Sequence, residues 1–208
     1  MPELAELRLT AAYINECSGS GAPTIRYKTI EKNPVHKGKD IELPFDGDFG
    51  ITAESRGKEL ILWLSQPEEK IPLKMTMGMS GHFKLTNTGQ EPKHAHLKFH
   101  RHDGTTLSFV DVRRFGKWKL GETWGANRGP DPTMEPEEFK YNVLKNLDKK
   151  PFDQPIHLVL MNQKYFNGIG NYLRAEILYR LPHVNPFMEA KEVIEKCPQL
   201  LELCINIP

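Results

Sequence analysis

The residues best suited to chemistry stand at the very start, in Met1-Pro2-Glu3-Leu4-Ala5-Glu6-Leu7. Met1 precedes a small residue, and its removal would leave Pro2 with a free secondary amine. An α-amino group titrates near about 7.7–8.0, against about 10.4 for a lysine, so roughly a tenth of it is unprotonated at neutral pH. A nearby cation or burial would raise that fraction. Such an amine attacks carbonyl-like carbon and forms a Schiff base. Glu3 is its neighbour and Glu6 lies one helical turn further on, two carboxylates placed to handle protons. The same residues also suit a plain helix start: proline in a first turn forfeits no needed N–H, and glutamates complement the helix dipole.

Three further stretches carry reactive or ligand-binding residue types. Arg56-Gly57-Lys58 sits between two strand-like runs. A lysine on such a turn is solvated by default. A cation close to Pro2 would instead lower the amine pKa and hold an anion, and Gly57 lets the backbone approach closely. Gly78-Met79-Ser80-Gly81 puts a flexible apolar side chain on a glycine-flanked turn, and Asp111-Val112-Arg113-Arg114-Phe115-Gly116 puts two cations and an aromatic at a strand end. These read either as a core methionine with a surface arginine pair, or as wedges of the kind that unstack a duplex and fill the hole left by an extruded base. In Lys164-Tyr165-Phe166-Asn167-Gly168-Ile169-Gly170-Asn171 two glycines bracket one apolar residue at the junction of two helical patterns. That spacing turns main-chain N–H groups toward an anion at a helix N-terminus, with Asn171 as cap or phosphate ligand and Lys164 as a source of charge.

These stretches must be positioned by two kinds of texture. Apolar residues at Leu4, Leu7, Leu9, Ala11, Ala12 and Ile14 predict a helix from about Glu3 to Cys17, ended by Ser18-Gly19-Ser20-Gly21. A strand follows over Thr24–Ile30, then a polar loop around Pro34–Pro44. From Phe49 to Leu120 the alternation predicts short strands at 49–55, 59–64, 73–77, 82–85, 96–99 and 106–112, separated by glycine, Asn-Thr-Gly and Asp-Gly punctuation. One helix and six or more strands predict a β-sandwich or barrel-like domain. Gly125, Gly129, Pro130, Pro132 and Pro136 then mark a linker, and helical spacing returns over 136–147, 155–162, 170–181 and 189–195. The expected organisation is α+β: an N-terminal helix and β-sandwich domain over 1–121, a linker over 122–136, and an all-helical domain over 137–208. A cleft where two domains adjoin is the expected place for a substrate.

Composition narrows the function. The chain has 208 residues, 26% charged and 38% hydrophobic, with a net charge of +1, so any nucleic-acid binding must come from a local basic face. Cys17, Cys197 and Cys204 form neither a Cys-x-x-Cys pair nor an even set, which argues against a disulfide framework or a zinc ribbon. His94-Ala95-His96 and His100-Arg101-His102 lack a third ligand nearby, so no metal site is assigned. No apolar run approaches the roughly 20 residues of a membrane span, and no signal-peptide core is present. A reduced intracellular compartment is the expectation.

Taken in order, Met-Pro-Glu, Arg-Gly-Lys58, Gly-Met79-Ser-Gly, Lys-His94-Ala-His, Val-Asp-x-Arg113-Arg-Phe-Gly and Asn-Gly-Ile-Gly-Asn171 resemble the motifs of the formamidopyrimidine and endonuclease VIII DNA glycosylases. The matches run from residue 2 to about residue 181, and the wording from Phe166 to Tyr179 looks most like the animal endonuclease VIII-like branch. The resemblance implies an N-terminal helix plus β-sandwich domain, a helix–two-turn–helix domain, and duplex DNA as partner. It implies a bifunctional glycosylase and lyase that removes oxidised pyrimidines and ring-opened purines, with Pro2 attacking C1′ and the imine driving β- and δ-elimination. Glu3 would assist as acid and base, Lys58 would contact the phosphate beside the lesion and help proton transfer, and Glu6 would support the site. Met79, Arg113 and Phe115 would fill the void, while His94, Lys164 and Asn171 would hold phosphates. It implies no cofactor, a monomer and a nuclear location.

The chain also departs from that pattern. Leu4-Ala5 stands where the animal members have Gly-Pro, the stretch from Pro182 to Leu200 looks short, and no finger hairpin follows the helical domain before Pro208. These departures keep a second reading open, a truncated module that binds lesion or abasic DNA without turnover. A third, a tautomerase acting on small keto acids through an N-terminal proline, fits poorly because Pro2 is expected to open a helix and not a strand.

Overall fold

In the computed structural model residues 2–19 and 25–208 are described; Met1, the turn residues Ser20 and Gly21 and the expected strand start at Thr24 lie outside them. The chain divides into two compact units. The first takes Pro2, Glu6–Ser55 and Glu59–Thr123; the second takes Glu3–Ala5, Arg56–Lys58 and Trp124–Pro208.

The first unit is a β-sandwich with a helix. Helix α1 spans Leu4–Cys17. Leu7, Ala11 and Ile14 recur at helical spacing and are buried, whereas Leu9 is 71% exposed and Ala12 also faces out, so the apolar stripe is narrower than the sequence implied. Eight strands follow: β1 (Tyr27–Lys32), β2 (Gly50–Arg56), β3 (Glu59–Ser65), β4 (Lys70–Thr76), β5 (His82–Asn87), β6 (Ala95–Arg101), β7 (Thr105–Val110) and β8 (Lys117–Leu120). They form two four-stranded sheets, ordered β1-β6-β7-β5 and β2-β3-β4-β8. Antiparallel register sets Leu97 against Phe109, Phe99 against Leu107 and Phe83 against Phe109 in one sheet, and Leu60 against Met75 and Leu62 against Leu73 in the other. These side chains share one buried cluster with Trp118, Tyr27, Phe49 and the inner stripe of α1. Asn15 of α1 protects the outer strand β2, donating to Ala53 O at 2.9 Å and accepting from Ala53 N at 2.7 Å, as a neighbouring strand would.

The second unit is helical: α2 (Pro136–Leu144), a 3₁₀ turn (Lys150–Asp153), α3 (Ile156–Val159), α4 (Asn171–Tyr179), α5 (Ala190–Lys196) and α6 (Gln199–Asn206). Pro136 occupies the first turn of α2, where its missing N–H costs nothing. Phe139, Val143, Phe152, Phe166, Leu173, Ile177, Ile194 and Leu200 make its core, joined by Leu4 from the first turn of α1.

Three of the expected helices are shorter than their apolar spacing implied. After α3, Met161 and Asn162 donate to the carbonyls three residues back, which tightens the chain into two successive turns over residues 160–170. α2 stops at Leu144 and α4 at Tyr179. Strand β8, the 3₁₀ turn and α6 had no individual counterpart in the sequence reading. Among the described residues no helix is long and apolar enough to cross a membrane.

Candidate active site

Glu3 is 4% exposed, an unusual burial for a carboxylate. Its side chain reaches the N-terminus of α4, where Oε2 accepts the N–H groups of Gly170 at 2.8 Å and Leu173 at 3.1 Å, and Oε1 accepts that of Tyr172 at 3.1 Å. A helix leaves its first N–H groups without internal partners and carries partial positive charge there, so this is an anion site. The sequence placed an anion at this helix end and offered Asn171 as its cap or as a phosphate ligand. The anion the structure shows is the chain's own Glu3. The cap position is Gly170, in extended conformation with no side-chain cap, and Asn171 is the first helical residue with an exposed side chain.

Glycines let three separate segments meet here. Gly57 (φ +56°) and Gly168 (φ +98°) adopt backbone that L side chains rarely take. A Cβ on Gly57 would collide with the Asn167 amide, one on Gly168 would lie 2.5 Å from Leu4 Cβ and 3.0 Å from Gly57 Cα, and one on Gly170 would overlap the Glu3 carboxylate and lie 2.6 Å from Lys58 Nζ. The 3–5, 56–58 and 167–171 segments are thus in backbone contact, reinforced by Leu4 N–H donating to Gly168 O at 3.2 Å. Lys58 is half-buried with its ammonium at the same glycine that Glu3 covers. Burial pushes its pKa below the ordinary lysine value; the Glu3 charge opposes that shift and Arg128 adds to it.

A network that sequence reasoning missed fixes these segments. Asp131 Oδ2 accepts Gly57 N–H at 2.7 Å, while its Oδ1 takes Thr133 N–H and Met134 N–H. Glu135 receives Arg56 Nε at 2.7 Å and Nη2 at 3.2 Å in a two-point pair, and also Asp131 N–H at 2.9 Å. Asn167, fully buried, donates to Gly129 O at 2.9 Å and accepts from Arg128 Nη1 at 3.4 Å. Gln163 donates to Ile169 O and accepts Gly168 N–H at 3.0 Å.

The first unit carries the second group. Met79, Arg113 and Phe115 are exposed and adjoin one another: the Arg113 guanidinium lies 4.9 Å from the Phe115 ring centre and 3.4 Å from Met79 Sδ. Beneath them Asp111 is fully buried and accepts the Ser80 hydroxyl, Arg113 N–H at 3.2 Å and Gly116 N–H at 2.8 Å. Burial alone would raise its pKa; the hydrogen bonds outweigh it and hold the carboxyl below the usual range.

A buried carboxylate next to Pro2, a lysine on the same glycine, and an exposed Met–Arg–Phe group are the features to set beside known proteins. Residues 1–118 match the formamidopyrimidine-DNA glycosylase N-terminal domain family. The chain belongs to the Fpg/Nei family. It is 41% identical over 239 residues to Endonuclease 8-like 1 of Homo sapiens, covering all of this chain and 60% of that protein. It is 31% identical to a formamidopyrimidine-DNA glycosylase of Legionella pneumophila strain Philadelphia 1, covering 93% of this chain and 70% of that one. Among solved structures, Lactococcus lactis Fpg in complex with DNA containing an oxidised pyrimidine aligns with a TM-score of 0.78 at 25% identity, covering 99% of this chain and 78% of that one. The MutM (Fpg) protein of Thermus thermophilus shares the fold, with a TM-score of 0.76 at 23% identity over 98% of this chain and 73% of that one. The chain therefore spans 60% of the length of the animal relative.

The other expected site residues of this Fpg/Nei chain are dispersed. Glu6 is exposed on α1, and its carbonyl accepts the Thr10 hydroxyl. His94 is half-buried ahead of β6, its carbonyl taking Asp111 N–H at 3.0 Å and its ring 6.4 Å from that of His96. Lys164 is exposed, with its ammonium 5.9 Å from the Tyr165 ring centre and its carbonyl accepting Asn142 Nδ2 at 2.9 Å. Among the described residues no three histidine, cysteine or acidic side chains group to hold a metal ion.

Proposed function

We propose that the chain is a DNA glycosylase with lyase activity that removes oxidised pyrimidines and ring-opened purines from duplex DNA. What supports this most is the Glu3 carboxylate, held by three main-chain N–H groups one peptide bond from Pro2, with Lys58 at the same glycine. A carboxylate so fixed keeps its position while the neighbouring amine reacts. With Met1 removed, the Pro2 nitrogen lone pair forms a bond to C1′ as the C1′–base bond breaks, and the base leaves with the electrons of that broken bond and takes up a proton. The Pro2 nitrogen then loses its own proton, and its lone pair expels O4′, which Glu3 protonates as the sugar opens to the iminium. The iminium, joined to a secondary amine and permanently positive, acidifies the C2′ hydrogen, so β-elimination expels the 3′ phosphate and δ-elimination the 5′ phosphate.

Lys58, its ammonium pKa lowered mainly by burial, serves both as a phosphate contact and as a proton carrier nearer neutrality than an ordinary lysine. Glu6 supports the reactive end of α1. Met79, Arg113 and Phe115 fill the void left by an extruded base. His94, Lys164 and Asn171 contact phosphates, the molecule acts as a monomer, and it works in the nucleus.

Borohydride trapping tests the reading, on one duplex with a single oxidised pyrimidine and on the same duplex with an abasic site. Covalent adducts with both, mapped to Pro2, are the expected result. An adduct with the abasic duplex alone removes the glycosylase half of the proposal. Trapping with neither, on folded protein with a confirmed free Pro2, leaves a module that binds DNA without turnover.

A further inference from the structure

The helical unit carries an open groove of about 600 Å³ where α4 meets the segment 181–187. It is apolar along Leu178, Tyr179, Pro182 and Phe187, and its one guanidinium is that of Arg174. Tyr179 is 81% exposed and Phe187 73%, the two most exposed large hydrophobic side chains among the described residues. The backbone that holds Phe187 is nevertheless pinned. Val184 N–H donates to Leu181 O at 2.9 Å, Phe187 N–H to Asn185 Oδ1 at 2.9 Å and Met188 N–H to Asn185 O at 3.0 Å. His157 gives both its N–H, at 3.2 Å, and its Nδ1 proton, at 2.8 Å, to Pro186 O, and its ring meets that of Phe187 edge to face at 5.0 Å. Pro182 and Pro186 each fix one φ angle. An aromatic that is exposed and already ordered loses little entropy when something covers it. Rigid aromatics and arginine are also the side chains that carry most of the binding energy at interfaces.

Charge then selects the occupant. Arg174 is half-buried, makes one side-chain hydrogen bond, from Nη1 to His157 O at 3.2 Å, and pairs with no carboxylate among the described residues. Arg180 on the next turns is by contrast tied to Glu176 at 2.7 Å. No acidic side chain lines the groove. A guanidinium set in an apolar wall with donors to spare attracts a carboxylate, and the apolar surroundings strengthen the pair. A lone cation suits no polyanion, whose binding needs several neutralised charges. Nor does an open groove enclose a small molecule as ligand pockets do. We propose that this groove docks a peptide segment of a partner protein, whose large apolar side chains pack against Tyr179 and Phe187 and whose aspartate or glutamate pairs with Arg174. The surface stands apart from the Pro2 chemistry and does not rest on it.

The test selects a random linear peptide library, displayed on phage, against the full chain, with the Tyr179→Ser/Phe187→Ser double variant as counter-selection. Both side chains are exposed, so this variant melts as wild type does and lost binding is not misfolding. Enriched peptides combine large apolar residues with a nearby aspartate or glutamate. The synthesised consensus, titrated by calorimetry, binds the double variant at least about tenfold more weakly than wild type. A double-mutant cycle then isolates the ion pair. Changing the acidic residue of the peptide to its amide weakens binding to wild type about tenfold and leaves binding to Arg174→Gln unchanged, while Arg174→Lys, which keeps the charge, shows an intermediate loss. No enrichment over the counter-selected background, or peptides that bind both proteins equally, overturns the groove. Equal losses against wild type and Arg174→Gln overturn the pairing with Arg174. Self-association in sedimentation velocity that the double variant abolishes gives the groove to a second copy of the chain, and duplex affinity lowered by Arg174→Gln gives it to nucleic acid; either result removes the peptide.

Discussion

Replacing Glu3 by glutamine changes one oxygen to an NH₂ group and nothing in shape, yet it should cost this protein much of its stability. The carboxylate accepts three N–H groups, two on Oε2 and one on Oε1. Glutamine has a single carbonyl. Its better orientation keeps the bonds from Gly170 and Leu173 and turns the NH₂ group toward Tyr172 N–H, donor against donor. A hydrogen bond to a charged group contributes about 1.5–3 kcal/mol, and an anion at a partly buried helix N-terminus adds about 0.3–2 kcal/mol. Together the loss is about 2–5 kcal/mol, out of the roughly 5–15 kcal/mol that holds a typical protein folded. At about 2–4 °C per kcal/mol for a chain of this size, the melting temperature falls by about 4–20 °C. Differential scanning calorimetry of Glu3→Gln, Glu3→Asp and wild type measures this, with the exposed Glu54→Gln as a control that moves by less than about 0.5 kcal/mol. Aspartate keeps the charge but is one methylene short of α4, so it also melts early. A Glu3→Gln melt within about a degree of wild type would refute the reasoning, because the carboxylate would not then be anchoring the helix. The same result bears on catalysis: lost base excision by Glu3→Gln implicates the carboxylate in chemistry only when assayed well below its lowered transition.

The other predictions concern the supports of the site. Gly57→Ala forces a Cβ into Asn167 at φ +56°; left-handed backbone costs about 1–2 kcal/mol and overpacking about 1–3 kcal/mol, so urea denaturation should show a loss of at least about 2 kcal/mol, and a tolerated alanine would contradict the close packing. His36 and His96 are buried with pKa values pushed below the ordinary imidazole value, first by desolvation. The unfolded chain then binds more protons between those depressed values and about 6.5, so stability falls as pH drops through that window and levels off below it. His36→Phe keeps a ring on Trp118, whose centre lies 4.3 Å away, and should flatten the fall between pH 7 and 5; an unaltered slope would mean that His36 is not held neutral. Asn171→Ala should weaken binding to all lesions alike and leave the melting temperature unchanged, since its side chain does not cap α4. A drop in melting temperature would return Asn171 to a structural role.

Local pattern made much of this molecule legible. The α1 helix, the alternating strands and the proline-led α2 depend on contacts within a few residues, and their spacing is visible in sequence. That Met79, Arg113 and Phe115 stand on exposed turns was legible too, since glycine-flanked Met79 and the Arg113–Phe115 run name their own turns. The anion at α4 was legible in type but not in source, because Glu3 and Gly170 are 167 positions apart and no periodicity links them. Asp131 and Glu135 were invisible for the same reason, each an ordinary polar loop residue until its partner at 57 or 56 arrives, and Asn167 was noticed as part of an anion-binding motif but not as the buried donor to Gly129 O. Helix α6 did leave a signal, the apolar set Leu200, Leu201 and Cys204, which is buried on one face.

The assignment of Glu3 and Lys58 to the helical unit follows from those long-range bonds. Glu3 and Lys58 come from the part of the sequence that builds the sandwich, yet both belong to the helical unit. The reason is chemical. A buried carboxylate needs donors, and the donors it finds are the free N–H groups of α4. A main-chain N–H at a left-handed glycine needs an acceptor, and Gly57 finds Asp131. Each of these polar demands is met inside the helical unit, so the two groups assigned to proton handling hold their mutual geometry within a single packed body. The Met79, Arg113 and Phe115 group is fixed just as locally, through Asp111, in the sandwich. The Glu3–Gly170 and Asp131–Gly57 bonds share no residue with the Asp111 network, and substitutions in one network should combine additively in their stability effects with substitutions in the other.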